Sequence, residues 1–145
     1  MKKEDYHCSI IANITAKEAM EGISRVSEWW VKSFEGSAQK LGDVFTIRFG
    51  EPSTVNFKIT EYDAGKKVVW LVTNCYLDFL KDKTEWTNTT IIWELEEKNK
   101  ATEIHFTHVG IVPGVECYDM CVKGWDQYVK GSLVKLLTEG KGAPS

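Results

Sequence analysis

The sequence predicts an α+β fold in which a curved antiparallel β-sheet packs around one long C-terminal helix. Three observations support this prediction. The first is a strand followed by two short helices. The second is a run of about five or six segments with alternating apolar and polar residues, which are typical of strands joined by short turns. The third is a change to helical periodicity in the C-terminal part. An ordinary α+β sandwich with a solid core has the same order of elements, so both architectures stay open at this point.

The N-terminal elements are predicted from β-branched residues and a capping signal. Residues 6–14 are rich in β-branched residues and predict the first strand. Thr15, with Glu18 three residues later, is typical of a capping box at the start of a short helix. A second short helix follows and runs towards Trp30, and the glycines of residues 34–42 predict a loop.

Alternation of apolar and polar residues predicts the strands that follow. Along each of them the apolar positions share one face of the sheet. Residues 63–66 carry the glycine of a hairpin turn, and residues 98–100 predict a second turn. The predicted strands cover residues 44–49, 55–60, 67–73, 89–96 and 102–108.

An amphipathic helix is predicted near the C-terminus, because apolar residues recur there at steps of three and four. These residues are Tyr118, Val122, Trp125, Val129, Leu133, Leu136 and Leu137. Pro113 and Gly114 precede this helix and Gly140 can end it. Gly124 lies in the middle, where glycine costs about 1 kcal/mol relative to alanine. We therefore expect another segment to approach the backbone closely at Gly124.

Composition restricts the class of protein. The net charge of −3 argues against a nucleic-acid groove, which needs a basic surface. The sequence shows neither a secretion signal nor an apolar run long enough to cross a membrane. Four cysteines are too few for a disulfide scaffold and predict reduced thiols in a cytoplasmic protein. We expect residues 1–145 to form a single domain.

Six motifs, in the correct order along the chain, resemble one known family. They are TAKEA at 15–19, EWW at 28–30, LGDVF at 41–45, ITEYD at 59–63 followed by KVVW at 67–70, TEIHFTHVG at 102–110, and GWDQY at 124–128 followed by SL at 132–133. The sequence is thereby similar to the family of proteins like the activator of the 90-kDa heat-shock-protein ATPase, in the START/SRPBCC (birch-pollen-allergen-like, helix-grip) superfamily. The resemblance covers nearly the whole chain.

The resemblance implies a helix-grip fold with a cavity for an apolar ligand between the sheet and the long helix. A small hydrophobic molecule, lipid-like or aromatic, is therefore the expected partner, and no cofactor is expected. Other superfamily members are cyclases, dehydratases or hydrolases, so an enzyme using the same cavity is the first alternative. The family's namesake stimulates a chaperone ATPase. The second alternative is therefore an interaction module with a chaperone partner. An exposed apolar patch at Trp29 or Phe79 would indicate such a module.

The predicted inward faces supply candidate cavity-lining residues. Ligand pockets are mostly apolar and aromatic with a few polar groups. The candidates are Trp30, Phe45, Phe57, Trp70, Asn74, Trp93, Phe106, His108, Tyr118 and Trp125. A packed core of the same aromatic residues is the alternative, since the chain has six tryptophans, five tyrosines and six phenylalanines. His108 is the strongest polar candidate, although a hydrogen-bonded core histidine has the same pattern.

The segment over residues 75–87 predicts a lid over the cavity mouth. Its apolar residues are Leu77, Phe79, Leu80 and Trp86. A surface hairpin that tucks these side chains into the core explains them equally well.

Catalytic and metal motifs are absent from the sequence. An acid/base pair of Glu85 and His108 remains a hypothesis. A metal site of Cys75, Cys117, Cys121 and His108 is not predicted, because no ligand spacing supports it. We predict that Cys117 and Cys121 do not form a disulfide, because two residues four apart in a continuous helix have an unfavourable geometry for such a bond.

Overall fold

Seven antiparallel strands form one open, curved sheet in the computed structural model, which describes residues 5–48, 53–78 and 80–144. The strands are β1 (Tyr6–Ala12), β2 (Phe34–Gly36), β3 (Val44–Arg48), β4 (Thr54–Asp63), β5 (Lys67–Tyr76), β6 (Thr90–Lys98) and β7 (Ala101–Val109). Their order across the sheet is β1-β7-β6-β5-β4-β3-β2, so the first two strands form its edges. The predicted α+β fold with a C-terminal helix is confirmed.

Two short helices connect the edge strands. They are α1 (Ala16–Ser24) and α2 (Val26–Trp29). Thr15 caps α1 as predicted: its Oγ1 accepts a hydrogen bond from the Glu18 backbone N–H at 3.1 Å, and the Glu18 carboxylate accepts one from the Thr15 N–H at 3.2 Å. These two bonds satisfy backbone donors that the first helical turn leaves without partners.

The long C-terminal helix α3 covers residues 118–139 and changes its winding midway. An α-helical segment, Tyr118–Trp125, is followed by a π-helical segment, Asp126–Leu133, and by a second α-helical segment, Val134–Glu139. A π-helical turn closes one residue later than an α-helical turn. Trp125, Val129 and Leu133, which are four residues apart, all face the sheet. Gly140 ends the helix in the left-handed conformation at φ 81°.

Two local features differ from the sequence-based prediction. The predicted loop over 34–42 contains the short strand β2, which pairs with β3. The register between β4 and β5 shifts between Asn56 and Phe57. Asn56 pairs with Asn74, whereas Phe57 pairs with Val72. This bulge leaves two consecutive residues, Thr73 and Asn74, on the exposed side. Phe49, predicted to end β3, lies outside the described residues.

Aromatic side chains fill the space between the concave sheet face and α3. Phe57, Trp70, Trp93 and Phe106 project from four different strands and are at most 1 % exposed. From the helix side, Trp125 contacts Phe106 with ring centroids 4.7 Å apart. The core therefore consists largely of aromatic rings in contact with one another, which is the packed arrangement that the composition allowed.

Phe106 provides a test of this packing. We expect Phe106→Ala to lower the free energy of unfolding by about 3–5 kcal/mol, because it removes a fully buried ring that contacts Tyr6, Trp93 and Trp125. Urea unfolding followed by circular dichroism measures the change. Ile11→Ala, at a residue that is 61 % exposed in β1, is the control and should change stability little. Equal losses in the two variants would contradict the packing.

Candidate functional site

Trp30, which directly follows α2, lies at the centre of the aromatic core. Its ring stacks on Trp29 at 5.9 Å and on Trp70 at 6.5 Å, and it contacts Phe57 and Trp125 at 5.8 and 4.7 Å between centroids. Trp30, a predicted cavity-lining residue, is only 2 % exposed. One edge of this ring nevertheless reaches a cleft beside α3.

Seven of the predicted lining residues are buried in this array. They are Trp30, Phe45, Phe57, Trp70, Trp93, Phe106 and Trp125. Tyr118 is half-buried and packs against the edge of the core. The prediction that Asn74 faces the interior is wrong, because the bulge in β5 turns it outwards, where it accepts a hydrogen bond from the Asn56 side chain. Ligand contact by the other residues stays a prediction.

His108 lies within a chain of hydrogen bonds that connects α3 to the segment before β6. The Trp125 indole N–H donates to His108 Nδ1 at 3.2 Å, and His108 Nε2 lies 2.9 Å from Thr89 Oγ1. The Thr89 hydroxyl in turn donates to the Trp86 backbone carbonyl at 2.6 Å. An indole N–H is only a donor, so Nδ1 accepts and Nε2 carries the proton that it donates to Thr89.

Burial determines the charge of His108. The imidazole is completely buried, and desolvation lowers its pKa from 6.5 to about 3. The ring is therefore neutral at physiological pH, and both of its nitrogens are engaged inside the protein. In this arrangement His108 positions Trp125 and does not offer a free proton acceptor.

The proposed acid/base pair of Glu85 and His108 is wrong. The Glu85 carboxylate accepts hydrogen bonds from the backbone N–H groups of Glu116 at 2.7 Å and Cys117 at 3.1 Å, whereas His108 bonds to Thr89 and Trp125.

An apolar cleft of about 150 Å³ opens between the N-terminal part of α3 and the segment before β6. Seven residues line this helix cleft: Trp30, Trp86, Met120, Cys121, Gly124, Trp125 and Tyr128. Gly124 leaves room there, because a Cβ atom built on it meets nothing within 4 Å. The expectation that another segment approaches Gly124 closely is therefore wrong.

The segment between β5 and β6 tucks its apolar side chains inwards. Leu77, Leu80 and Trp86 are at most 5 % exposed, whereas Phe79 lies outside the described residues. This burial agrees with the tucked hairpin that was the alternative to a lid. Trp86 nevertheless forms one wall of the helix cleft, where its ring stacks on Trp125 at 5.9 Å.

Two glutamates connect this segment to the residues before α3. While Glu85 accepts bonds from the backbone ahead of α3, the Glu116 carboxylate accepts bonds from the backbone N–H groups of Lys81 at 2.7 Å and Asp82 at 3.0 Å. The bonds from Asp82 and Lys81 lower the pKa of Glu116. We call these four bonds the glutamate latch, because each segment supplies one carboxylate and two donors.

Cys117 and Cys121 form a disulfide, and their Cα atoms lie 5.6 Å apart. For this pair, the prediction of reduced thiols and the prediction that no disulfide forms are both wrong. The argument from helix geometry does not apply, because Cys117 precedes the first residue of α3 and has a ψ of 0°. The Trp86 indole N–H lies 3.3 Å from the Cys117 Sγ and donates to it. Cys8 and Cys75 are free, and the part of the chain that the structure describes contains no group of three potential metal ligands.

Four residues that line the helix cleft were not predicted from the sequence. Met120, Cys121, Gly124 and Tyr128 lie on α3 beside the predicted apolar stripe rather than in it. Their spacing of three and four residues was a usable signal, because it places them on one neighbouring face of the helix. Trp29, the marker of an exposed interaction patch, is completely buried and gives no support to that alternative.

Comparisons with known proteins agree with this fold. A family model described as "Activator of Hsp90 ATPase homolog 1-like protein" matches residues 22–138. No curated protein matches the chain significantly.

Three solved structures illustrate the likeness. The solution structure of the Aha1 dimer from Colwellia psychrerythraea is 21 % identical, with a TM-score of 0.75 over 96 % of this chain and 99 % of that chain. Protein SSP2350 from Staphylococcus saprophyticus is 16 % identical, with a TM-score of 0.72 over 98 % of both chains. DynU16, a putative protein of the dynemicin biosynthetic locus, is also 16 % identical, with a TM-score of 0.71 over 96 % of this chain and 49 % of that chain.

None of the helices in the described ranges is long and apolar enough to cross a membrane.

The buried imidazole predicts a loss of stability in acid. The folded-state pKa of His108 lies below its ordinary value of 6.5, so the unfolded chain binds a proton first as the pH falls. The contribution of the buried, neutral His108 to the free energy of unfolding is fully present above pH 6.5. It decreases by about 1.4 kcal/mol per pH unit between pH 6.5 and about pH 3. Urea unfolding of the wild type and of His108→Gln at several pH values measures this. The difference between them should shrink as the pH falls, and a constant difference would contradict the assignment.

The glutamate latch predicts local protection of two backbone amides. Glu85→Ala removes both acceptors of the Glu116 and Cys117 N–H groups, so we expect these amides to exchange with solvent several-fold faster. Hydrogen exchange measured by NMR tests this. Glu94→Ala, at an exposed position in β6, is the control and should leave both amides unchanged. Unchanged exchange in Glu85→Ala would contradict the latch.

Proposed function

The chain belongs to the family of Activator of Hsp90 ATPase homolog 1-like proteins, and on that premise we propose that it binds a small hydrophobic ligand in the helix cleft. Proteins with this fold commonly bind such ligands. The observation that carries the proposal is the lining of the cleft, in which four aromatic rings, a methionine and a glycine leave an apolar space beside the core.

The size of the cleft limits the part of the ligand that it holds. A volume of about 150 Å³ is below the range of about 300–1,000 Å³ that is usual for whole ligands. An engineered cavity of about 150 Å³ in another protein binds benzene. We therefore assign the cleft to a single aromatic ring or to the methyl end of an acyl chain, with the rest of the ligand extending past Met120, which is 55 % exposed.

The segment before β6 provides the wall through which a larger ligand would enter. Trp86 covers one side of the cleft, and the glutamate latch holds its segment to the backbone ahead of α3. Trp86 also donates to the Cys117 Sγ and stacks on Trp125, so entry of a larger ligand would require these contacts to open together with the latch. In this proposal the segment acts as a lid whose closed state is the one described above.

Two glycines in α3 give a matched test of the cleft. A Cβ atom on Gly124 or on Gly131 meets nothing within 4 Å, but only Gly124 lines the cleft. We expect Gly124→Met to fill the cleft and to weaken binding of toluene and of dodecanoate at least about tenfold, because the added side chain occupies the volume of a ligand group. Gly131→Met, the control, should bind both probes like the wild type.

Titrations followed by the NMR resonances of the indole N–H groups measure the binding of both probes. Shifts at Trp86 and Trp125 place a probe in the cleft, and the two probes distinguish a ring from an acyl chain. The proposal would be rejected if neither probe binds the wild type, or if Gly124→Met binds both as tightly as Gly131→Met.

A further inference from the structure

The disulfide at the start of α3 contributes to the wall of the helix cleft through one of its two cysteines. Cys121 lines the cleft, whereas Cys117 does not. We propose that this disulfide is a site of reversible thiol–disulfide exchange, in which a small, uncharged thiol attacks Cys121 and Cys117 is the leaving group. The exchange needs no apolar ligand, so the inference does not depend on the function proposed for the cleft.

Access distinguishes Cys121 from the other three cysteines. Cys117 is 0 % exposed, and Cys8 and Cys75 are also buried, whereas Cys121 is only half-buried. Burial raises the pKa of the free Cys8 thiol, which keeps it protonated and unreactive. A thiolate can attack only a sulfur that it can approach. The exchange therefore starts at Cys121, from the side that the cleft leaves open.

The lining of the cleft selects the class of thiol. Trp86, Trp125, Met120 and Gly124 surround Cys121 with an almost entirely apolar wall, and the space amounts to about 150 Å³. A charged group would lose its hydration there without gaining a partner. A thiol on a short, uncharged chain fits these limits, and the folded surface of a protein does not.

The surroundings of Cys117 favour it as the leaving group. The Trp86 indole N–H donates to the Cys117 Sγ at 3.3 Å, and an indole N–H is only a donor. Hydrogen bonds to a charged acceptor are stronger than bonds to a neutral one, so this bond strengthens as the sulfur becomes a thiolate. A thiol whose thiolate is stabilised leaves faster in such an exchange.

One carboxylate opposes a negative charge at Cys117. The half-buried Glu85 side chain accepts a hydrogen bond from the Cys117 backbone N–H at 3.1 Å, which places its charge beside the leaving group. Because like charges repel, Glu85 slows the departure of the Cys117 thiolate. The indole donor and the carboxylate thus act on the same sulfur in opposite directions.

The exchange balances in two steps. A thiolate forms a bond to the Cys121 Sγ, the S–S bond breaks, and its electron pair goes to the Cys117 Sγ. A second thiolate attacks the small-molecule sulfur of this mixed disulfide and releases Cys121 as a thiolate. Each attacking thiol has given one proton to solvent, and each cysteine takes one up. Two small thiols are oxidised to one disulfide, the protein disulfide is reduced by two electrons, and the reverse steps restore it.

Reduction of the wild-type protein under native conditions tests whether the exchange occurs. We expect 2-mercaptoethanol to reduce the pair without denaturant and bis(2-hydroxyethyl) disulfide to restore it, with alkylation and peptide mass spectrometry counting the thiols at Cys117 and Cys121. Glutathione, which is charged, should react several-fold more slowly. Reduction that requires urea would overturn the inference, and faster reduction by glutathione would overturn the choice of an uncharged thiol.

Two single-cysteine variants test which sulfur is attacked. In a background of Cys8→Ala and Cys75→Ala, Cys117→Ser leaves only the Cys121 thiol and Cys121→Ser leaves only the Cys117 thiol. With bis(2-hydroxyethyl) disulfide each forms a mixed disulfide, which for Cys121 is the reverse of the second step. We expect this reaction to be at least about tenfold faster in Cys117→Ser, because Cys117 is enclosed. Equal rates in the two variants would overturn Cys121 as the site of attack.

A pair of glutamate variants tests the leaving group. Glu85→Gln removes the opposing charge and keeps one acceptor oxygen, so reduction by 2-mercaptoethanol should be about two- to fivefold faster than in the wild type. Glu116→Gln weakens the glutamate latch in the same way, but its side chain bonds to the backbone of Lys81 and Asp82 and should change the rate little. An equal acceleration in both variants, or none in Glu85→Gln, would overturn Cys117 as the leaving group.

The indole resonances of the wild type test the role of Trp86. Reduction changes the acceptor of the Trp86 N–H, so we expect its resonance, identified with Trp86→Phe, to shift and to return on reoxidation. The Trp29 indole, which donates to the Ile23 carbonyl, is the internal control and should not shift. A Trp86 resonance that is the same in both redox states would overturn the contact between this indole and the leaving group.

Discussion

The contact between the aromatic rings of the sheet and those of the helices is the constraint on which the rest of this structure depends. The sheet supplies Phe57, Trp70, Trp93 and Phe106, which are large and rigid, so α3 can dock only where its own side chains fit between them. Trp125 meets that requirement, and the wider π-helical winding begins at the next residue. The helix cleft lies at the margin of this ring array.

A core built from indole rings also has to accommodate buried N–H groups. Trp29 donates to the Ile23 carbonyl, Trp125 to the His108 imidazole and Trp86 to the Cys117 sulfur, so three donors find acceptors of different chemical types. For His108 this explains a buried polar residue on an otherwise apolar strand face: it is the acceptor for Trp125 and the donor to Thr89.

Regular elements followed the sequence pattern, and irregular ones did not. The alternation in β7 correctly placed Phe106 on the inner face, because that strand pairs with both neighbours without a register shift. In β5 one bulge reversed the face of Asn74, and period-two alternation carries no signal for a bulge. The disulfide was missed because Cys117 was treated as part of a continuous helix. Local periodicity puts Gly124 on one face of α3 with Met120 and Tyr128, but whether that face borders open space depends on where α3 crosses the sheet, which is a tertiary property.

The polar contacts around the aromatic core also determine how well the helix cleft is prepared for a ligand. The Trp125 indole N–H is held by His108, and the Trp86 indole N–H by Cys117, while the two rings stack on each other. Both walls are thus held in place by contacts within the protein, which would reduce the ordering cost of the binding proposed above. The glutamate latch, made of backbone bonds to two carboxylates at the surface, adds to these contacts and holds the segment of Trp86 to the backbone ahead of α3. Apolar walls that are held in this way are suited to the small apolar group proposed as the ligand.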